Sequence, residues 1–221
     1  MNQMSRTTFP RLLNIRRKRA ATILKKLKTL LPHAGMILKY STNWELLVTV
    51  MLSAQCTDKK VNEVTKVLFK RYKTISHYAL ANNKEFEQYI YSTGFYKAKT
   101  KNILAAANMI QKKFGGKIPR TMEEMLTIPG VARKTANVVL GNAYGVVEGI
   151  AVDTHVKRLS LILGLTNQSD PNKIEQDLMQ IIPQKDWFKA TYLFIDYGRK
   201  FCPAKKHDHN KCPLRRFDRK K

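Results

Sequence analysis

The chain of 221 residues holds 41 Lys and Arg against 16 Asp and Glu, a formal net charge of +25, and 43% of its residues are apolar. That apolar share suffices for a proper core in one large domain or two small ones, and a positive surplus far beyond what solubility needs points to a polyanion, most simply nucleic acid. No apolar run approaches the roughly 20 residues that span a bilayer, the Met1 segment lacks the apolar centre of a secretion signal, and three cysteines make no disulfide framework. These features exclude a membrane-spanning or disulfide-stapled class and set the expectation of a soluble, cytoplasmic protein in a reducing compartment. A basic, acid-poor N-terminus also suits a transit peptide.

In chain order, Arg11 to Leu31 mixes leucines and isoleucines with Arg16, Arg17, Lys18, Arg19, Lys25, Lys26 and Lys28, which predicts a basic amphipathic helix ending before Pro32. Its charged face reads either as a solvated surface or as a track for phosphates. Trp44 to Ala54 is too uniformly apolar for a surface helix and must be buried. Gln55-Cys56-Thr57-Asp58 then forms a polar corner, with Thr57 or Asp58 as N-cap of a helix to Tyr72. Gln55 is either a plain surface amide or, held rigidly, a group that enters a base stack, and Cys56 reads as a buried thiol. Glu85 to Tyr91 predicts a short amphipathic helix, broken around Thr93-Gly94-Phe95 before a helix from Ala98 to Phe114 that Gly115-Gly116 ends. Thr121 with Glu124 three residues on is a capping box.

Leu126 to Gly145 is the stretch around which the chain is organised. Ile128-Pro129-Gly130-Val131 predicts a tight turn between two helices, because Pro129 fixes φ and Gly130 takes positive φ freely. The second helix then starts with outward N–H groups and the positive end of its dipole, an anion site. Lys134 in that first turn is electrostatically misplaced, so it is either a phosphate contact or a tuned amine. Further on, Asp153 is placed as N-cap of a helix from His155 to Gly164, Asp170-Pro171 starts another to Ile182, and a last helix runs from Trp187 to Tyr197 and stops at Gly198. No β alternation of useful length appears, so the predicted fold class is all-α.

Four segments together, LSAQCTD from Leu52, GFYKAKTKNI from Gly94, LTIPGVARKTANVVL from Leu126 and AVDTHVKRL from Ala151, resemble the endonuclease III family of helix-hairpin-helix DNA glycosylases. The most specific sign is the hairpin with Lys134 followed nineteen positions later by Asp153. The resemblance implies a six-helix barrel over residues 35–147 and a second, discontinuous helical domain from 1–34 and 148–221, with a basic tail over 199–221 and DNA in the cleft between the two. It implies a bifunctional DNA glycosylase and abasic-site lyase of base excision repair that removes oxidised pyrimidines from duplex DNA. Lys134 and Asp153 are then catalytic. Gln55 matches the family's gap filler and Phe95 its apolar wedge, both used once the target base is flipped out. Gly130, Val131, Ala132, Arg133, Thr154 and His155 are the remaining expected DNA contacts. A nucleophilic lysine must be neutral, and the helix start together with Arg133 favours that form, while Asp153 opposes it. Thr49 stands where related adenine glycosylases carry a catalytic Glu, which favours the pyrimidine enzyme.

The tail departs from the family. Most members end with four cysteines that have six, two and five residues between them and hold a 4Fe–4S cluster. The same register from Cys202 gives His209, Cys212 and Asp218, so the cluster is not expected and no cofactor is required. This Cys-His-Cys-Asp set has the donors for zinc, or His207 and His209 simply face phosphates. The expected partner is damaged double-stranded DNA, with no membrane, and the protein is expected to be a nucleoid-associated monomer. Two alternatives stand beside the enzyme: a catalytically idle helix-hairpin-helix DNA-binding protein, and a monofunctional glycosylase with another lesion specificity.

Overall fold

Capping side chains account for most of the helix starts. A computed structural model describes residues 8–219, and every regular element among them is helical. The α-helices are α1 (Thr8–Leu30), α2 (Asn43–Leu52), α3 (Asp58–Arg71), α4 (Ile75–Ala79), α5 (Asn83–Ile90), α6 (Tyr96–Lys113), α7 (Met122–Thr127), α8 (Arg133–Tyr144), α9 (Thr154–Ile162), α10 (Pro171–Ile181) and α11 (Trp187–Lys200). Thr42, Thr57, Thr74, Asn82, Thr121, Asp153 and Asp170 each accept from a first-turn amide of the helix that follows. Each cap satisfies one of the donors a helix start leaves without an intrahelical partner. At Thr121 the hydroxyl also donates to Glu124 at 2.8 Å while accepting from its amide, which tightens the start of α7.

The chain divides into two compact units, one continuous over Ile37–Glu148 and one made from both ends, up to Met36 and from Gly149 on. In the continuous unit α2 is the buried centre, its residues from Leu46 to Leu52 all shielded from water, and it packs on α3, α6 and α8. Thr49 is fully buried, and its hydroxyl donates to the carbonyls of Leu46 and Glu45 at 2.8 and 3.0 Å. Helix α4, too short to show a period in the sequence, lies against α6 and brings Tyr78 into edge contacts with Trp44 and Phe86.

In the unit of two ends, α1 packs on α10 and α11, and α9 on α11, around Ile23, Leu27, Val156, Leu159, Leu178, Leu193 and Phe194. The basic residues of α1 resolve into a third role, the binding of their own unit. Arg19 donates to the carbonyls of Leu163 and Phe217, Arg17 to that of Gln180 and Lys26 to that of Pro213, while Lys28 pairs with Asp186. Helix α11 does not stop at Gly198 but runs through it to Lys200. The reason is tertiary: a Cβ at 198 would lie 2.5 Å from Nδ1 of His155, so the glycine gives the ring its seat rather than ending the helix.

Candidate active site

The hairpin closes as its residue types demand. The amide of Val131 donates to the carbonyl of Ile128 at 3.0 Å, with Pro129 and Gly130 between them and Gly130 at φ 77°. Proline first and a positive-φ glycine second is the pattern of a type II turn. The glycine is also required by contact, because a Cβ there would sit 2.7 Å from Cβ of Asn102 and 2.9 Å from Cε of Met51. Ile128 and Val131 plug the turn into the core. Helix α8 then begins with Ala132 as its N-cap, without a side-chain cap and without an acidic residue in its first turn. Arg133 is half-buried and Lys134 exposed in that turn. A helix start that carries cations and lacks a side-chain acceptor suits a phosphate oxygen in the place of the cap.

Two residues beside the hairpin hold unusual backbones. Gln55 has φ 53° and Phe95 φ 50°, the only left-handed non-glycine residues among those described. Left-handed conformation costs a side-chain-bearing residue roughly 1 kcal/mol and concentrates at functional sites. Both side chains are exposed, Phe95 at 64%, which is unusual for so large an apolar ring. Gln55, Phe95 and Gly130 line one cavity of about 210 Å³, together with Met51, Ala54, Ala98, Lys99 and Asn102. Lys99 fixes the two corners. Its buried ammonium donates to the carbonyls of Leu52 at 2.8 Å and Thr93 at 2.9 Å, and burial holds its pKa below the usual lysine value. It thus ties the end of α2, just before Gln55, to the turn that presents Phe95. Cys56 is half-buried rather than buried, because its corner projects from the end of α2.

Asp153 lies in the other unit. It is half-buried at the start of α9, and its Oδ1 accepts from the amide of Val156 at 2.8 Å, which fixes the carboxylate's orientation. Thr154 next to it is exposed, and His155 turns its ring onto Gly198.

The tail of the same unit gathers a four-residue cluster. The donor atoms of Cys202, His207, His209 and Cys212 all lie within 4.8 Å of one another. Asp218 does not belong to the group, contrary to the sequence register. The chain folds back through a short turn over His209–Lys211, which stacks the His207 and His209 rings with centroids 4.1 Å apart, whereas Asp218 ends a later turn over Arg215–Phe217. The sulfur of Cys212 is 3.3 Å from Nε2 of His207 and 3.9 Å from Nδ1 of His209. Burial and the neighbouring Cys202 push the Cys212 thiol up to about 11.

Residues 48–184 match the HhH-GPD superfamily of base excision DNA repair proteins. Endonuclease III of Synechocystis is 50% identical over 199 residues, 90% of this chain and 91% of the relative. The chain belongs to the endonuclease III family. Two solved structures of endonuclease III, a non-covalent complex with DNA and a trapped covalent intermediate with DNA, each superpose at TM-score 0.88 with 40% identity, covering 92% of this chain and 95% of theirs. The superfamily match takes in Gln55, Phe95, the hairpin, Lys134 and Asp153, and ends before Cys202. Sequence reasoning missed the role of Lys99 and left His207 out of the metal-donor set. Lys99 looked like one more basic residue of an amphipathic helix, and His207 lies outside the endonuclease III cysteine register; the signal for it was the His-x-His-x-x-Cys run itself.

Proposed function

We propose that this chain is a bifunctional DNA glycosylase and abasic-site lyase of base excision repair, acting on oxidised pyrimidines in duplex DNA. The observation that carries the reading is a cavity lined by Gln55, Phe95 and the hairpin glycine together, beside a helix start with no side-chain cap that bears Lys134. The hairpin amides grip the backbone. Gln55 and Phe95, both exposed on left-handed corners, fill the stack and wedge the step that the flipped nucleotide leaves, at a cost of roughly a few kcal/mol that a damaged base lowers.

Lys134 then attacks C1′ of the sugar as a free amine, the C1′–N bond breaks, and the base leaves with the bonding pair. The positive charge that builds on the sugar is stabilised by the carboxylate of Asp153. Loss of the lysine proton and ring opening leave a Schiff base, which acidifies the 2′ hydrogen. Its removal expels the 3′ phosphate, and water releases Lys134. Thr49 supports the pyrimidine assignment over an adenine-specific one, since its hydroxyl is satisfied by two backbone carbonyls in a buried helix and offers no acid.

The family's 4Fe–4S cluster does not fit the tail. Such a cluster asks for four thiolates, and the gathered donors are two sulfurs and two imidazoles. No helix among the described residues is long and apolar enough to cross a membrane. We place the enzyme as a monomer on cytoplasmic, nucleoid DNA.

Borohydride reduction on a duplex that holds an oxidised thymine or an abasic site tests the mechanism. Wild-type protein gives a covalent protein–DNA adduct, and Lys134→Ala gives none. A wild type that forms no adduct would overturn the lyase reading and leave the idle helix-hairpin-helix binder and the monofunctional glycosylase.

A further inference from the structure

Cys202 and Cys212 are both buried and free of any disulfide, yet they stand with two imidazoles in one knot at the end of α11. We propose that Cys202, His207, His209 and Cys212 bind one Zn²⁺ ion, a closed structural centre that clasps the basic tail to α11 where the family would hold an iron–sulfur cluster.

The distances fit one metal. A tetrahedral zinc with sulfur at about 2.3 Å and nitrogen at about 2.0 Å separates sulfur from nitrogen by roughly 3.5 Å. The Cys212 sulfur lies 3.3 and 3.9 Å from the two imidazole nitrogens, on either side of that value. All four donor atoms fall within 4.8 Å of one another, too close to enclose a four-iron cube. A two-iron Rieske-type centre uses the same residue types but puts both thiolates on one iron and both imidazoles on the other, which drives sulfur and nitrogen apart. Here a sulfur sits against both imidazoles. Tetrahedral S₂N₂ is the donor set that zinc takes in structural sites.

A cation and a backbone carbonyl orient two of the donors. Arg158 from α9 donates through Nη1 to Sγ of Cys202 at 3.6 Å and through Nη2 to the carbonyl of Cys202 at 2.5 Å, which holds both the ligand and the chain end in place. Nδ1 of His207 lies 2.8 Å from the carbonyl of Lys205, so a proton there leaves Nε2, the nitrogen nearer Cys212, as the metal donor. Four protein donors leave no position for substrate, so the ion is structural. What it fixes is the short loop that carries exposed Lys205, Lys206 and Lys211.

The test is metal content and spectroscopy, independent of DNA cleavage. Protein purified without chelators from medium containing both zinc and iron should carry one zinc per chain by elemental mass spectrometry. Replacement by Co²⁺ should give the intense visible bands of tetrahedral cobalt with sulfur ligands. His207→Ala and His209→Ala should each weaken Zn²⁺ binding by about tenfold or more, and Asp218→Asn should not. His209 is exposed, so its loss leaves the packing intact and circular dichroism should confirm the fold. Four irons with sulfide per chain, a folded wild type that takes up neither zinc nor cobalt, a Cys202–Cys212 disulfide in freshly purified protein, or zinc held undiminished by the double histidine variant would each overturn the proposal and leave the glycosylase reading untouched.

Discussion

Asp153 caps α9 through one oxygen, while the proposed chemistry draws on its negative charge, and the two demands can be separated. Asparagine keeps an acceptor in the same place and loses the charge. Asp153→Asn should therefore melt within a few degrees of wild type while base excision, measured by single-turnover cleavage, falls by about 10²-fold or more. Asp153→Ala loses the cap as well and should be about 1 kcal/mol less stable. Excision at the wild-type rate would show that the charge has no catalytic part, and unfolding of the asparagine protein would favour the capping role. At this scale the sequence was readable where a side chain acts on its own backbone neighbours. The Asp153 cap and the Thr121–Glu124 box follow from spacing alone. The left-handed corners of Gln55 and Phe95 do not, since no rule of composition places a glutamine or a phenylalanine there; nor does the clamp at Lys99, which exists only once α2 and α6 have met.

Helices read well from the sequence when their signals were local. The buried α2 and the glycine-ended α6 appeared as expected, whereas α4 is five residues long and shows no period. Gly198 shows why a punctuation residue misleads: glycine ends helices through its backbone freedom, but here it serves through its missing side chain. Opposed magnitudes make this testable. Gly198→Ala gains roughly 1 kcal/mol of helix propensity, but its Cβ would meet the His155 ring at 2.5 Å, and overpacking of that kind costs about 1–3 kcal/mol. The single variant should melt below wild type. In a His155→Ala background the 2.5 Å clash is gone and only Cδ1 of Leu159, at 3.3 Å, stays close, so with a small shift of that methyl the same change should raise the melting temperature. Equal effects in both backgrounds would show that the ring does not dictate the glycine.

The net charge of +25 was the first sign of the partner, but some of the cations also bind their own unit. Arg17, Arg19, Lys26 and Lys28 of α1 are engaged by carbonyls and a carboxylate of their own unit. If about six phosphates are neutralised, affinity for an abasic duplex should drop about 10³-fold between 50 and 200 mM salt, as measured by fluorescence anisotropy with Lys134→Ala protein. A flat response would remove the electrostatic grip. The same whole-molecule view bears on how the protein could be improved. A search for thermostability would single out Gln55 and Phe95 early, because glycine or asparagine relaxes a left-handed corner at once. Each such success would discard a side chain that the proposed mechanism sends into the helix of the substrate. In this enzyme the margin of stability and the grip on a damaged site are set against each other at two named positions, and a hardier variant should be built elsewhere.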